Sequence, residues 1–287
     1  MKKIFGLFIV TIMALGGQCQ EFTFIQPLGI EIFNNPGFTS SYSNWLKSSY
    51  RISNQGLASE NTQHTTGYWH RFSKIKSNIG VAYTQSKATE SGNKMTRVDL
   101  NYAYEWKLTR KISLCPGFSG ALINTDGAVK SQYYDVSGGV VLKRKDKLKV
   151  GYALHHYNQP EYDVTNLVKA TLVQRHNVFA IYQKKLNYKS RIAAFANLNW
   201  KNGEGTHYYG LLAQRKFILI GAGLDKDLHY MAMVRLRLRA LTIRYSYDAV
   251  KSTLTNENMP SHEFGLDLKM PHRISPLRLE AIRMPNF

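Results

Sequence analysis

The stretch that decides the fold is "LTIRYSYDAV", residues 241–250, followed after a polar loop by "HEFGLDLKM", residues 262–270. Leu241, Ile243, Tyr245 and Tyr247 take every second position, with Thr242, Arg244 and Ser246 between them. Phe264, Leu266, Leu268 and Met270 repeat the pattern around Gly265, Asp267 and Lys269. Side chains alternate faces with a period of two only in extended chain, so both stretches predict strands with one apolar and one polar face. What covers the apolar face then settles the architecture.

Working outward, the same alternation predicts strands near 46–54, 64–73, 77–85, 95–106, 111–122, 134–143, 148–157, 174–184, 190–200, 206–215, 216–224 and 228–237, and then 240–248 and 262–270. The clearest is Val98, Leu100, Tyr102, Tyr104 and Trp106 set against Asp99, Asn101, Ala103 and Glu105. Its apolar face ends in aromatics, as a membrane-interface girdle does. Lys2 and Lys3, the apolar stretch Ile4 to Gly16 and small residues before Cys19 predict a secretory signal peptide over residues 1–19. After Gly16 no apolar run approaches the eighteen residues of a membrane-spanning helix. An exported chain with 18 Tyr, 13 Phe and 4 Trp, built of alternating strands, predicts an all-β fold. Its form is a transmembrane antiparallel outer-membrane β-barrel of about fourteen strands, with lipid on the apolar face. A soluble β-sandwich also uses alternating strands, but requires neither export nor so many strands in one sheet. The expected organisation is a signal peptide (1–19), an N-terminal periplasmic or plug segment (20–45), the barrel (46–270) and a periplasmic tail (271–287). Pro271, Pro276 and Pro285 make that tail a poor strand.

The connections sort into two sets. Those at 74–76, 107–110, 144–147, 185–189, 215–216 and 238–239 are short, whereas most of the others are longer and polar. Short periplasmic turns opposite longer outer loops are the barrel pattern, and an even strand count puts both barrel ends on the periplasmic side. Charge sorts with length. The short turns and their flanks carry nineteen lysines and arginines against one acid, Asp146, while the long connections hold most of the acids. The expected result is a basic rim at the periplasmic end, with Lys143, Arg144, Lys145, Lys147, Arg235, Arg237 and Arg239 as the candidate partner-binding residues. In "VRLRLR" (234–239) the three arginines share a face, and placing them in lipid costs about 2–4 kcal/mol each near the midplane. They are therefore expected in the lumen or at the rim, either lining a cationic entrance or pairing with Asp99, Glu105 or Asp267.

Chemistry-bearing patterns are weak. His155-His156 in "YALHHYNQP" would point to opposite faces of a strand and could not easily share a metal ion. Ser261-His262-Glu263 has the residue types of a hydrolase triad, but consecutive strand positions alternate faces. Cys115, with no second cysteine after the expected cleavage site, reads as small filler. No cofactor motif and no metal-ligand spacing is present, so no enzyme activity, cofactor or metal is expected. The basic "KRKDKLK" (143–149) fits a turn beside lipid headgroups or an acidic partner better than nucleic acid, which an exported barrel does not meet.

Several short motifs carry a resemblance. They are Asn35-Pro36-Gly37, "GYALHHYNQP" (151–160), "QRHNVFAIY" (174–182), Tyr245-Ser246-Tyr247-Asp248, Ser252-Thr253-Leu254 and Ser261-His262-Glu263, in that order. The chain resembles the PorP/SprF membrane proteins of the Bacteroidetes type IX secretion system over most of residues 30–270. Gly37 stands where that family tends to have alanine. The resemblance implies an outer-membrane barrel that assists export or anchoring of type IX substrates, often surface adhesins, including those of gliding motility. Its implied partners are periplasmic ring and peptidoglycan-binding components. Read from the residues alone, a general diffusion channel with an anion-preferring lumen is the alternative, and an outer-membrane hydrolase a third.

Overall fold

The computed structural model describes residues 31–41, 44–55, 60–89, 92–127, 130–145, 147–165, 168–225, 229–251 and 258–270. The expected signal peptide and C-terminal tail lie outside them. A short helix α1 (Glu31–Asn34) and a 3-10 helix (Pro36–Ser41) precede the strands. These are β1 (Trp45–Ser53), β2 (Asn61–Phe72), β3 (Ser77–Ala88), β4 (Lys94–Tyr104), β5 (Trp106–Lys107), β6 (Ile112–Asp126), β7 (Ser131–Arg144) and β8 (Leu148–His155). After β9 (Glu161–Thr165) and β10 (Val168–Thr171) come β11 (Arg175–Lys185), β12 (Ser190–Lys201), β13 (Glu204–Arg215) and β14 (Ile218–Asp225). The chain continues through β15 (Tyr230–Leu238), β16 (Leu241–Lys251) and β17 (Asn258–Lys269).

Strands β4 and β5 are two parts of one wall strand, both pairing with β6 and interrupted at Glu105. Every wall strand pairs antiparallel with its neighbours in the chain, and β1 also pairs with β17, Trp45 opposite Lys269 and Ile52 opposite His262. The result is a closed barrel of 14 strands. Closure leaves no sheet edge, which is what lets a sheet sit in hydrocarbon.

The period-two reading fixes the faces. Val98, Leu100, Tyr102 and Tyr104 are exposed on the outside of β4, while Asp99, Asn101 and Ala103 are buried inside. Tyr50, Tyr83, Tyr152, Tyr209 and Phe264 show the same outward placement on other strands. Exposed apolar groups in this number suit lipid, not water.

The short turns use unusual backbone. Lys76, Lys145, Lys216 and Arg239 all have positive φ, between 44° and 53°. Left-handed backbone is uncommon outside glycine and asparagine, because Cβ crowds the following carbonyl.

One element departs from the alternation. The connection expected at 158–173 folds back as the β9–β10 hairpin. Leu172 behind it is buried against Ala121, Ile123 and Tyr133 of the inner wall. Tyr162 stacks near Tyr133, with 5.7 Å between ring centroids. Asn158 ties the start of this loop to β7, donating to Tyr134 O (2.7 Å) and accepting from the Val136 amide (3.0 Å). A side-chain amide thus supplies the ladder bonds that β8 no longer provides.

Candidate functional site

Two regions concentrate polar and charged side chains: the lumen and the end with the short turns.

In the lumen, the Asn35–Ser41 segment lies against the inner wall. Asn35 is fully buried. Its Nδ2 donates to Tyr152 O (2.9 Å) and Val140 O (3.2 Å), carbonyls of the paired strands β8 and β7. Its Oδ1 accepts from the Gly37 amide at 2.8 Å, a turn that also caps the 3-10 helix, with Pro36 in the first helical position. The wall is hollowed to receive this turn. A Cβ on Gly117 would lie 2.3 Å from Gly37 N and 2.4 Å from Pro36 C, and one on Gly139 would lie 2.3 Å from Asn35 Oδ1. The close approach is mutual: a Cβ on Gly37 would lie 2.5 Å from Cys115 O. This close approach explains glycine at position 37. Cys115 is buried under this turn and is in no disulfide among the described residues.

The segment spans the lumen. Phe33 packs near Trp69 and Ala82 on one wall. Phe38 joins Val141, Phe179, Ile181, Phe195, Leu212 and Met231 on the other, edge-on to Phe179 at 5.2 Å. Lys143 Nζ donates to Ser40 Oγ, and Lys149 Nζ sits 5.7 Å from the Phe38 ring. Both lysines were expected within the basic rim, and Lys143 among its partner-binding residues. Their strand parity turns them inward instead, where they hold the segment.

Further toward the long connections, Arg97 bridges Asp99 and Asp135, each at 2.8 Å, and His156 Nδ1 is 2.9 Å from Asp135 Oδ1. His155 Nε2 donates to Asn34 O at 2.9 Å. The expectation that His155 and His156 face opposite sides fails. His156 follows the last β8 residue with a φ of 56°, which breaks the alternation, and both histidines are buried inside. Among the described residues, no three His, Cys, Asp or Glu side chains form a metal-binding group.

The seam between β16, β17 and β1 holds a second network. Arg244 meets Asp267 at 2.8 Å, and Lys47 approaches the other Asp267 oxygen at 3.7 Å. Arg51 is 3.6 Å from Asp248, and Ser49 Oγ donates to Glu263 at 2.9 Å. Gly265 makes room for the Arg244 guanidinium, whose Cζ would be 2.6 Å from a Cβ there. The motif residues therefore divide by face. Ser246, Asp248, Ser261 and Glu263 point inward, while Tyr245 and His262 bond to each other outside at 2.9 Å, flanked by Tyr247. Ser261, His262 and Glu263 do not converge.

The acids expected as possible partners for Arg235, Arg237 and Arg239 all hold other cations. Asp99 holds Arg97, Glu105 holds Arg71, and Asp267 holds Arg244 and Lys47. Arg237 and Arg239 are exposed at the short-turn end, and Arg235 is half-buried one inward position further in.

At that end Arg144, Lys145 and Lys147 are exposed, as are Lys74, Lys76, Arg110, Lys111, Lys189 and Lys216. Lys76, Lys145, Lys216 and Arg239 stand at the left-handed positions of their turns.

Residues 28–268 match the type IX secretion system membrane proteins PorP/SprF. The chain belongs to the PorP/SprF family. No curated protein matches it. Solved barrels resemble this PorP/SprF protein in fold alone. Omp33 of Acinetobacter baumannii superposes with a TM-score of 0.51 at 10% identity, covering 80% of this chain and 98% of that one. A Pseudomonas aeruginosa FadL homologue gives 0.52 at 11%, over 84% and 93% of the two chains. The P. putida toluene transporter TodX gives 0.52 at 7%, over 83% and 93%. The fold is that of outer-membrane barrels, so the end carrying the short turns and both barrel termini is the periplasmic one.

The Asn35 and Pro36 motif positions were legible in the sequence, but their receptor was not. Gly117, Gly139 and Gly151 lie on three wall strands and become one notch only through the strand register. Arg97, Asp135, Lys47 and Arg51 were missed as well. Each sits at an inward position of an alternating strand, which was the available signal.

Proposed function

We propose that this PorP/SprF protein is a non-enzymatic outer-membrane component of type IX secretion whose lumen is closed by its own N-terminal segment. Its basic periplasmic rim docks acidic surfaces of the ring and peptidoglycan-binding components, and it assists export or surface anchoring of adhesin-type substrates. The supporting observation is the rim: cations cluster on the short turns, and four of them sit where glycine would be easier. Left-handed backbone at a residue with a Cβ costs on the order of 1 kcal/mol or more. Keeping lysine or arginine there is readily understood if the charge itself is used. Like-signed charge at one end also speeds encounter with acidic partners.

The test follows from that cost. K76G/K145G/K216G/R239G removes four charges and relaxes four turns, so the barrel is expected to remain at least as stable. Periplasmic components should no longer co-purify from native membranes. Undiminished co-purification would discard the rim reading. The porin alternative requires an open path past Asn35–Ser41, and the buried Asn35 and Phe38 argue against one.

A further inference from the structure

The lipid-facing side of β11–β14 carries a recess of about 500 Å³. That volume is in the range of small-ligand pockets. Its floor is made of small outward residues, Ala194, Ala213 and Ala222, and its walls of Tyr182, Leu211 and Ile220. The register explains the shape. Tyr182, Ala194, Leu211 and Ala222 form one row across the four strands, and Lys184, Ile192, Ala213 and Ile220 form the next row toward the periplasm. Over β12–β14 large and small residues alternate in both rows with opposite phase, so Ala194, Ala213 and Ala222 step between the rows and leave a trough. Lys184 lies at the periplasmic end of the recess, and Arg215, two positions beyond Ala213 on the same outward face, lies just past it. Both are exposed.

We propose that this recess binds an anionic phospholipid of the inner leaflet, with one acyl chain along the alanine floor and the phosphate between Lys184 and Arg215. The trough is apolar along its length and cationic only at the headgroup end. A phospholipid brings its anion to that end and hydrocarbon to the rest. A protein helix could also use the small residues for close approach, but would have to supply an acid at that one place. Ordinary annular lipid needs no trough, so a specific site predicts preference for one bound molecule.

The test uses the full barrel in mild detergent, titrated with phosphatidylglycerol or diacylglycerol and followed by native mass spectrometry. Wild type should retain one phosphatidylglycerol in preference to further copies. A194F/A213F fills the trough and should weaken both ligands about tenfold. K184Q/R215Q should weaken phosphatidylglycerol by about tenfold, the scale of one lost charge-assisted contact, and leave diacylglycerol unchanged. Heat-modifiable gel mobility verifies that each variant is a folded barrel. The proposal is overturned if A194F/A213F binds phosphatidylglycerol like wild type, or if K184Q/R215Q leaves that binding intact. It is equally overturned if A194F/A213F loses a co-purifying protein while its lipid binding is unchanged.

Discussion

Gly117→Val is expected to turn a non-conducting barrel into a conducting one in planar bilayers. Wild type should show no steady ionic current, because the segment from Phe33 at the Trp69 wall to Phe38 at the Phe179 wall crosses the lumen. A side chain at position 117 cannot coexist with that path. Its Cβ alone would fall within 2.5 Å of Pro36 C, Pro36 O and Gly37 N, all backbone atoms that cannot rotate away. Valine is at home in a strand, so β6 itself should tolerate the change. The segment must leave its notch and give up the Asn35 bonds to β7 and β8, each worth about 1 kcal/mol net. Asn35→Ala, which removes those bonds without a clash, should produce only intermittent openings. Persistent silence of folded Gly117→Val would show that something other than this segment seals the lumen, and the closure proposal would fall.

The second large effect is expected at the seam. Asp267→Ala leaves Arg244, 1% exposed, and Lys47 without their shared carboxylate where β16, β17 and β1 close the barrel. Removing one partner of a buried ion pair costs about 3–5 kcal/mol, because the remaining charge stays desolvated. The variant should lose its compact gel mobility at a clearly lower temperature than wild type. Replacing these three together with K47M/R244M/D267L should recover part of the loss, since apolar side chains of similar volume carry no desolvation penalty. If Asp267→Ala melts like wild type, the network does not hold the seam. If the triple variant is no better than the single one, packing and not charge is the cause.

The two networks differ in how far the sequence reveals them. Arg244 and Asp267 stand at inward positions of adjacent strands, and the alternation in residues 241–270 already puts them on one face. Arg97 and Asp135 share the lumen by the same alternation, but the contact of His156 with Asp135 does not follow from it. It needs the left-handed turn at His156, which sends two consecutive histidines the same way. The rim shows the same division. Arg144, Lys145, Lys147, Arg237 and Arg239 are exposed at the short turns where their spacing put them, while Lys143 and Lys149 belong to inward parity and serve the segment inside.

By itself the sequence determined the strand count, the lipid and lumen faces, the sorting of turns and the concentration of positive charge on one end. All of these are local, carried by a period of two and by the composition of short connections. Only the tertiary structure decided what fills the cylinder: Asn35 bonds to residues more than a hundred positions away, in a notch made by glycines of three different strands. Periodicity specifies which way a side chain points and not what it meets there, and inside a closed barrel the contacts are set by register and closure.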